Sequence, residues 1–315
     1  MIGLAVDLGG SHATCAIVKN DKLFAQSTLA VQEHADLCDF ASVMKAVADQ
    51  LIQLCHQANI KPTDAAGLVF GFPGIVDSRM TRVVATNKKF DQALRFDFTG
   101  WGKEHFHLPV VVENDARLAL LGEHASGAAQ NAEDAVLITL GTGIGAAAMI
   151  GGKLLRGTQD RAGCLGGHLP VVAGGRLCTC GNRGCAEAEA STWALPAICS
   201  EMPGFTQSSL RLKSRLDFAD VFRCADEGDA VAQNVLSHCY LIWGTLAIAL
   251  IHAYSPQVLI FGGAVMAREK VILSGVRPYV ERHAWALGGV RVEASALGAN
   301  AAIYGTIPRL QEASC

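Results

Sequence analysis

Apolar runs of strand length alternate with glycine and polar turns at the start of the chain. Ile2–Val6 is a continuous apolar run that gives way to Asp7 and the Gly9-Gly10 turn. Ala13–Val18 is a second run, Lys19–Lys22 is polar, and Leu23–Leu29 alternates. Runs of this length between turn residues predict strands joined as hairpins. Ala41–Gln57 sets Val43, Val47, Leu51, Ile52 and Cys55 at helical spacing, which predicts a helix. Gly67–Phe70 predicts another buried strand, ending at Gly71-Phe-Pro-Gly74.

The same plan then recurs. Pro109–Val112 predicts a strand, and Asn114-Asp115 opens a helix that runs to about Ala125. Ala135–Thr139 predicts a strand feeding the turn Leu140-Gly-Thr-Gly-Ile-Gly145, Ala146–Ile150 returns, and Gly151-Gly152 turns again. The opening strand–turn–strand unit is therefore used twice. The expected fold class is α/β: two α/β domains with mixed sheets flanking a central cleft. Val235–Tyr254 lacks Asp, Glu, Lys and Arg and is long enough to span a bilayer. Its polar Ser237, His238, Thr245 and His252, and the strand-like Val258–Phe261 just after it, assign it instead to a buried core helix.

Composition narrows the class. The chain has 315 residues, 50% hydrophobic and 17% charged, enough for two folded domains. A net charge of −3 gives no basic footprint for nucleic acid. The first strand begins at Ile2 without a basic n-region or a cleavage site, so a soluble, cytoplasmic protein is expected. In that setting eleven cysteines read as thiols and not as a disulfide framework. Cys15, Cys38, Cys55, Cys199, Cys224 and Cys239 read as small buried hydrophobes, and Cys315 ends the chain.

Candidate chemistry gathers at the turns. Gly9 and Gly10 let backbone N–H groups approach phosphate oxygens, and Asp7 is placed to hold Mg²⁺ through water. An ordinary β-turn fits the first segment equally well. The second turn adds the Thr142 hydroxyl. No Gly-Lys-Ser/Thr follows it, and a strand in place of a helix follows it, so it is neither a Walker loop nor a Rossmann fingerprint. Asp115 reads either as a helix N-cap or as the carboxylate that takes an acceptor hydroxyl's proton in phosphoryl transfer. Cys178, Cys180 and Cys185 on a glycine-rich knuckle, with His168 ahead of them, form the donor set of a closed tetrahedral zinc site. Closed coordination makes such a zinc structural, and His168 keeps a second nitrogen to face a ligand.

Taken in order, these segments resemble the ROK family of sugar kinases, in the actin/hexokinase/Hsp70 superfamily. The resemblance runs through Asp7-Leu-Gly-Gly-Ser-His12, Gly71-Phe-Pro-Gly-Ile-Val-Asp77, Glu113-Asn-Asp-Ala-Arg117, Leu140–Gly145, His168, Cys178–Glu187 and Phe261-Gly-Gly-Ala264. It implies transfer of the γ-phosphate of ATP to a hexose or N-acetylhexosamine, usually at the 6-hydroxyl, with Asp115 as base. It implies sugar contacts from Gly74, Asn87, Asn114, Asp115, His168 and Glu187. Nucleotide contacts would come from Asp7, Gly9, Gly10, Ser11, His12, Gly141, Thr142, Gly143, Gly262 and Gly263. Mg²⁺ and a structural Zn²⁺ on His168, Cys178, Cys180 and Cys185 complete the set, and a homodimer is expected. The expected domains are 1–116 plus 300–315, smaller, and 117–299, larger and carrying the knuckle.

The chain departs from the family pattern in two places. Ser11 and His12 stand where Thr and often Lys are usual, which keeps the hydroxyl. Leu165 stands three residues before His168, where many members carry a sugar-binding Glu. Losing hydrogen bonds worth roughly 1.5–3 kcal/mol each would weaken a glucose pocket about ten- to a hundredfold. A substrate that differs at C1 or C2 is one expectation from this change. The alternatives to a kinase are a non-catalytic sugar sensor or repressor of the same family, and an Hsp70-like ATPase. With the first strand starting at Ile2, a DNA-binding helix-turn-helix ahead of it is not expected, nor is an Hsp70-like substrate-binding domain after residue 315. The same turns leave GTP or polyphosphate open as the donor.

Overall fold

Continuous apolar strands build the centre of each half of the molecule. A computed structural model of the chain describes residues 1–31, 39–86, 89–213, 215–285 and 288–314. The chain forms two compact units: Met1–Ala132 with Leu154–Cys164 and Ala299–Cys315, and Glu133–Lys153 with Leu165–Gly298.

The first unit is built on β1 (Ile2–Leu8), β2 (His12–Lys19), β3 (Lys22–Ala30) and β4 (Leu68–Phe72), a small hairpin of β5 (Ile75–Asp77) and β6 (Arg82–Ala85), and β7 (Val110–Asn114). Its main sheet has the order β3-β2-β1-β4-β7. β2 runs antiparallel to β1, while β4 and β7 continue the sheet in parallel. Every residue of β4 and β7 is buried, as expected of parallel strands covered on both faces. The helix Phe40–Gln57 covers the sheet with Val43, Met44, Val47 and Leu51, and the Asp39 side chain caps it by accepting from Ala41 N. Phe70, Phe98, Trp101 and Phe106 fill the core beside it.

The helix Asp115–Ser126 belongs to this unit, as do Leu154–Cys164, whereas the expected boundary lay at residue 116. Close packing explains the difference. A Cβ on Gly122 would overlap the Ala301 carbonyl, and one on Gly305 would overlap that of Leu118. The Arg117 guanidinium also donates to the carbonyls of Leu155, Asp160 and Ala162.

The second unit repeats the topology. Its strands are β8 (Ala135–Leu140), β9 (Ile144–Ile150), β10 (Lys153–Leu154), β11 (Val258–Gly262) and β12 (Arg291–Ala294), in the order β10-β9-β8-β11-β12. β8 and β9 form the antiparallel hairpin, and β11 and β12 follow in parallel, as β1, β2, β4 and β7 do in the first unit. The helix Ala230–Tyr254 is the one described helix long and apolar enough to cross a membrane. It is a core helix here: Trp243, Leu246 and Ala247 are fully buried, and Trp243 Nε1 donates to Ala190 O at 3.0 Å. Cys15, Cys55, Cys199, Cys224 and Cys239 are buried. Cys38, Cys315 and Asn87 lie outside the described residues.

Candidate active site

Parallel strands end at a common edge, and the first unit uses that edge to gather its acids. Asp7 on β1 is in register with Gly71 on β4, and Gly71 with Glu113 on β7. The chain leaves β7 at Asn114 and enters the helix at Asp115. Asn114 is the N-cap: its Oδ1 accepts from Arg117 N at 3.1 Å. Its Nδ2 donates to Gly74 O at 3.1 Å and to Asp115 Oδ1 at 3.0 Å. The capping role that competed for Asp115 therefore belongs to its neighbour. Asp115 Oδ1 also accepts from Ala116 N at 2.8 Å. The other oxygen, Oδ2, takes no hydrogen bond from another described residue.

Two carboxyl groups at this edge are held away from their ordinary range, chiefly by burial. Burial pushes Asp7 up to about 7, and the Asp115 charge adds to the shift. Burial likewise pushes Asp115 up to about 6, against the lowering effect of the Ala116 and Asn114 hydrogen bonds. In the adjoining turn, Gly9 N donates to His12 O at 2.8 Å and Ser11 Oγ meets His12 Nδ1 at 3.0 Å. No backbone hydrogen bond among the described residues uses Gly10 N or Ser11 N.

Beneath Asp115 lies an ion cluster that the sequence reading missed. Glu113 is fully buried and accepts from Asn114 N at 2.9 Å. Arg117 Nη1 stands 3.6 Å from Glu113 Oε1 and Arg309 Nε 3.1 Å from Oε2, and Arg156 closes on the same oxygen. Only the Glu113–Arg117 spacing of one helical turn was visible as a signal. Arg156 and Arg309 arrive from distant segments.

In the second unit, the turn between β8 and β9 is tied down on one side. Gly141 N donates to Gly143 O at 3.0 Å. The Gly141 and Thr142 carbonyls accept from Thr192 N at 3.2 Å and Trp193 N at 3.1 Å. Thr142 N and Gly143 N have no backbone acceptor among the described residues. Glu187, buried, accepts from Ile144 N at 3.0 Å and from Trp193 Nε1 at 3.2 Å. Gly262 pairs with Thr139, and Gly263, at φ +92°, packs so tightly on Leu140 that a Cβ would overlap its carbonyl oxygen. The two glycine turns of this unit thus lie side by side.

The knuckle brings its four donors together. One ligand atom from each of His168, Cys178, Cys180 and Cys185 lies within 4.8 Å of the others. Cys180 Sγ and Cys185 Sγ are 3.7 Å apart, and Cys178 Sγ and His168 Nδ1 are 3.6 Å apart. A tetrahedron with Zn–S near 2.3 Å and Zn–N near 2.1 Å has edges of about 3.8 Å and 3.6 Å. The donor set fits zinc. Gly184, at φ +72°, lets the chain turn against Val172 where any side chain would overlap. Leu165, just before the Gly166–His168 turn, is 36% exposed and adds no polar group.

The sequence model of the ROK family matches residues 3–310. The chain belongs to the ROK family. It is 31% identical over 274 residues to a glucokinase of Halalkalibacterium halodurans, across 84% of this chain and 82% of that one. It is 28% identical over 264 residues to the xylose repressor of Bacillus subtilis, across 82% of this chain and 65% of the repressor. Its structure matches that of a ROK family glucokinase from Streptomyces griseus in complex with glucose and AMPPNP, with TM-score 0.82 and 25% identity over 99% and 100% of the two chains. The ROK match bears out the expected fold class of paired actin-like α/β domains with mixed sheets.

Proposed function

We propose that the protein is an ATP-dependent sugar kinase that phosphorylates a hexose or N-acetylhexosamine at a hydroxyl, the 6-hydroxyl by the family pattern. The observation that carries this reading is the state of Asp115. Its neighbour Asn114 performs the capping, one carboxylate oxygen is held by Ala116 N and Asn114 Nδ2, and the other is left for an acceptor hydroxyl. A base titrating near 6 is ionised at neutral pH yet basic enough to share a proton in the transition state.

The remaining roles follow from chemistry. Asn114 and Gly74 in the first unit, and His168 and Glu187 in the second, supply polar groups suited to sugar hydroxyls, and Asn87 is added by the family pattern alone. Gly9, Gly10, Ser11 and His12, and Gly141, Thr142, Gly143, Gly262 and Gly263, supply open backbone and hydroxyl donors for phosphates. Asp7 is the group suited to a Mg²⁺ ion, which when bound would neutralise charge developing on the phosphates. Asp115 orients the hydroxyl in line with the phosphorus and takes its proton, with no phosphoenzyme. Zinc on His168, Cys178, Cys180 and Cys185 would stabilise the knuckle and fix the His168 ring.

A second reading, a sugar sensor without turnover, is favoured by the similarity to a repressor and by Leu165 in place of a polar contact. One assay separates the two. ADP release from Mg-ATP is followed against hexoses, 2-ketoses and N-acetylhexosamines, with Asp115→Asn as blank. Turnover on one sugar that vanishes in the variant supports the kinase; sugar binding with no turnover on any of them supports the sensor.

A further inference from the structure

We propose that Glu187 and Trp193 are positioning residues that tie the zinc knuckle to the Gly141–Gly145 turn, so that nucleotide affinity depends on the knuckle being formed. The inference rests on the kinase reading, which assigns that turn to the nucleotide phosphates.

The link is short and runs within the second unit. Cys185, a ligand of the knuckle, precedes the helix Ala186–Ala190, and Glu187 lies in its first turn. The chain continues through Ser191 to Thr192 and Trp193; three hydrogen bonds join this segment to the phosphate turn, and a fourth braces Glu187 against Trp193. Glu187 Oε2 accepts from Ile144 N at 3.0 Å, and Glu187 Oε1 accepts from Trp193 Nε1 at 3.2 Å. Thr192 N and Trp193 N donate to Gly141 O at 3.2 Å and Thr142 O at 3.1 Å. Gly143 is pressed against the same carboxylate, since a Cβ there would collide with Glu187 Oε2.

Peptide geometry turns these bonds into an aiming device. In a trans peptide the C=O and the following N–H point in opposite directions. Drawing the Gly141 carbonyl toward Thr192 therefore sends the Thr142 N–H to the other side, and drawing the Thr142 carbonyl toward Trp193 sends the Gly143 N–H the same way. Those two N–H groups have no backbone acceptor among the described residues, so they are the donors available to a phosphate. Without the 187–193 segment, three glycines within Gly141–Gly145 leave the turn many other conformations, and ordering it would weaken binding. The Trp193 indole is the part of the device that can be altered while the metal donors and the backbone of the turn stay intact, and its one polar contact is to Glu187.

The test is calorimetric titration of Mg-ADP into the zinc-loaded wild type, Trp193→Phe and Glu187→Gln, with zinc content, melting temperature and sugar affinity measured in parallel. Trp193→Phe keeps an aromatic ring but loses the donor to Glu187, and the Kd for ADP should rise about three- to tenfold with zinc content unchanged and sugar affinity, which also uses Glu187, falling by less. Glu187→Gln cannot accept from both donors and should raise the Kd tenfold or more. Stripping zinc from the wild type should weaken ADP in the same direction. An unchanged ADP Kd in Trp193→Phe overturns the inference, as does an equal loss of ADP and sugar affinity together with a lower melting temperature. A wild type that binds no ADP overturns the kinase reading itself.

Discussion

Asn114 Oδ1 accepts the Arg117 N–H at 3.1 Å while Asn114 Nδ2 reaches Asp115 Oδ1 at 3.0 Å, so one asparagine both caps the helix and orients the carboxylate beside it. Helix-capping geometry is here put to work at the site proposed for chemistry. Replacing Asn114 with Ala should lower stability by about 1 kcal/mol through the lost cap. It should lower kcat far more than a helix cap alone would explain. An Asn114→Asp variant that keeps the cap, by accepting from Arg117 N, yet loses kcat would separate the two effects.

Asp115→Asn should reduce kcat about 10²- to 10⁴-fold, the usual range for a positioned base, and leave the sugar Kd nearly unchanged. Steady-state kinetics with calorimetry on the same preparations reads both quantities. Equal losses in kcat and affinity would assign Asp115 to folding and not to proton transfer.

The acid pair sets the pH response. Asp115 must be ionised to accept a proton, so kcat/KM should hold above about pH 6 and fall as the pH drops through that value. Stability has the opposite sign. Asp7 and Asp115 bind protons more tightly in the fold, near 7 and 6, than a carboxyl at its ordinary 3.8, so their ionisation opposes folding as pH rises through those values. In Mg²⁺-free buffer, Asp7→Asn should melt above the wild type at pH 8, with the gap closing toward pH 5.

Glu113 holds three guanidinium groups in a dry place. Glu113→Gln removes the buried charge shared by Arg117, Arg156 and Arg309, which keep Asp160 or Glu312 as second partners. Breaking a buried pair from one side costs about 3–5 kcal/mol, so a fall of roughly 10 °C in melting temperature is expected by calorimetry.

Leu165→Glu restores a carboxylate near the knuckle. If the missing acid is what limits ordinary aldohexoses, glucose affinity should improve about ten- to a hundredfold. An unchanged glucose Kd would remove Leu165 from the specificity argument. For the knuckle, chelation or Cys180→Ala should release about one zinc per chain and lower the melting temperature.

Hydrophobic period is a local property, and so the chain alone determined most of the fold. The apolar runs at Ile2–Val6 and Ala135–Thr139, each followed by a glycine turn and a second run, specified two copies of one hairpin-led sheet, and both sheets formed with the same strand order. The cysteine spacing specified a knuckle whose sulfurs and imidazole then gathered within 4.8 Å of one another, two of the pairs at tetrahedral edge lengths. The ROK motifs likewise named Asp7, Asn114 and Asp115 before any of them had a neighbour.

What the sequence left open was which partner each polar group meets. Asp115 could equally have been the cap, and only the turn out of β7 gave that task to Asn114. Glu113 meets Arg309 across 196 positions of sequence, and Glu187 meets Ile144 across 43. The helix Asp115–Ser126 joined the first unit because Gly122 and Gly305 allow two backbones to touch, a closeness no local pattern encodes. Burial and charge pairing act through space, and their strength depends on surroundings that exist only once the chain has folded.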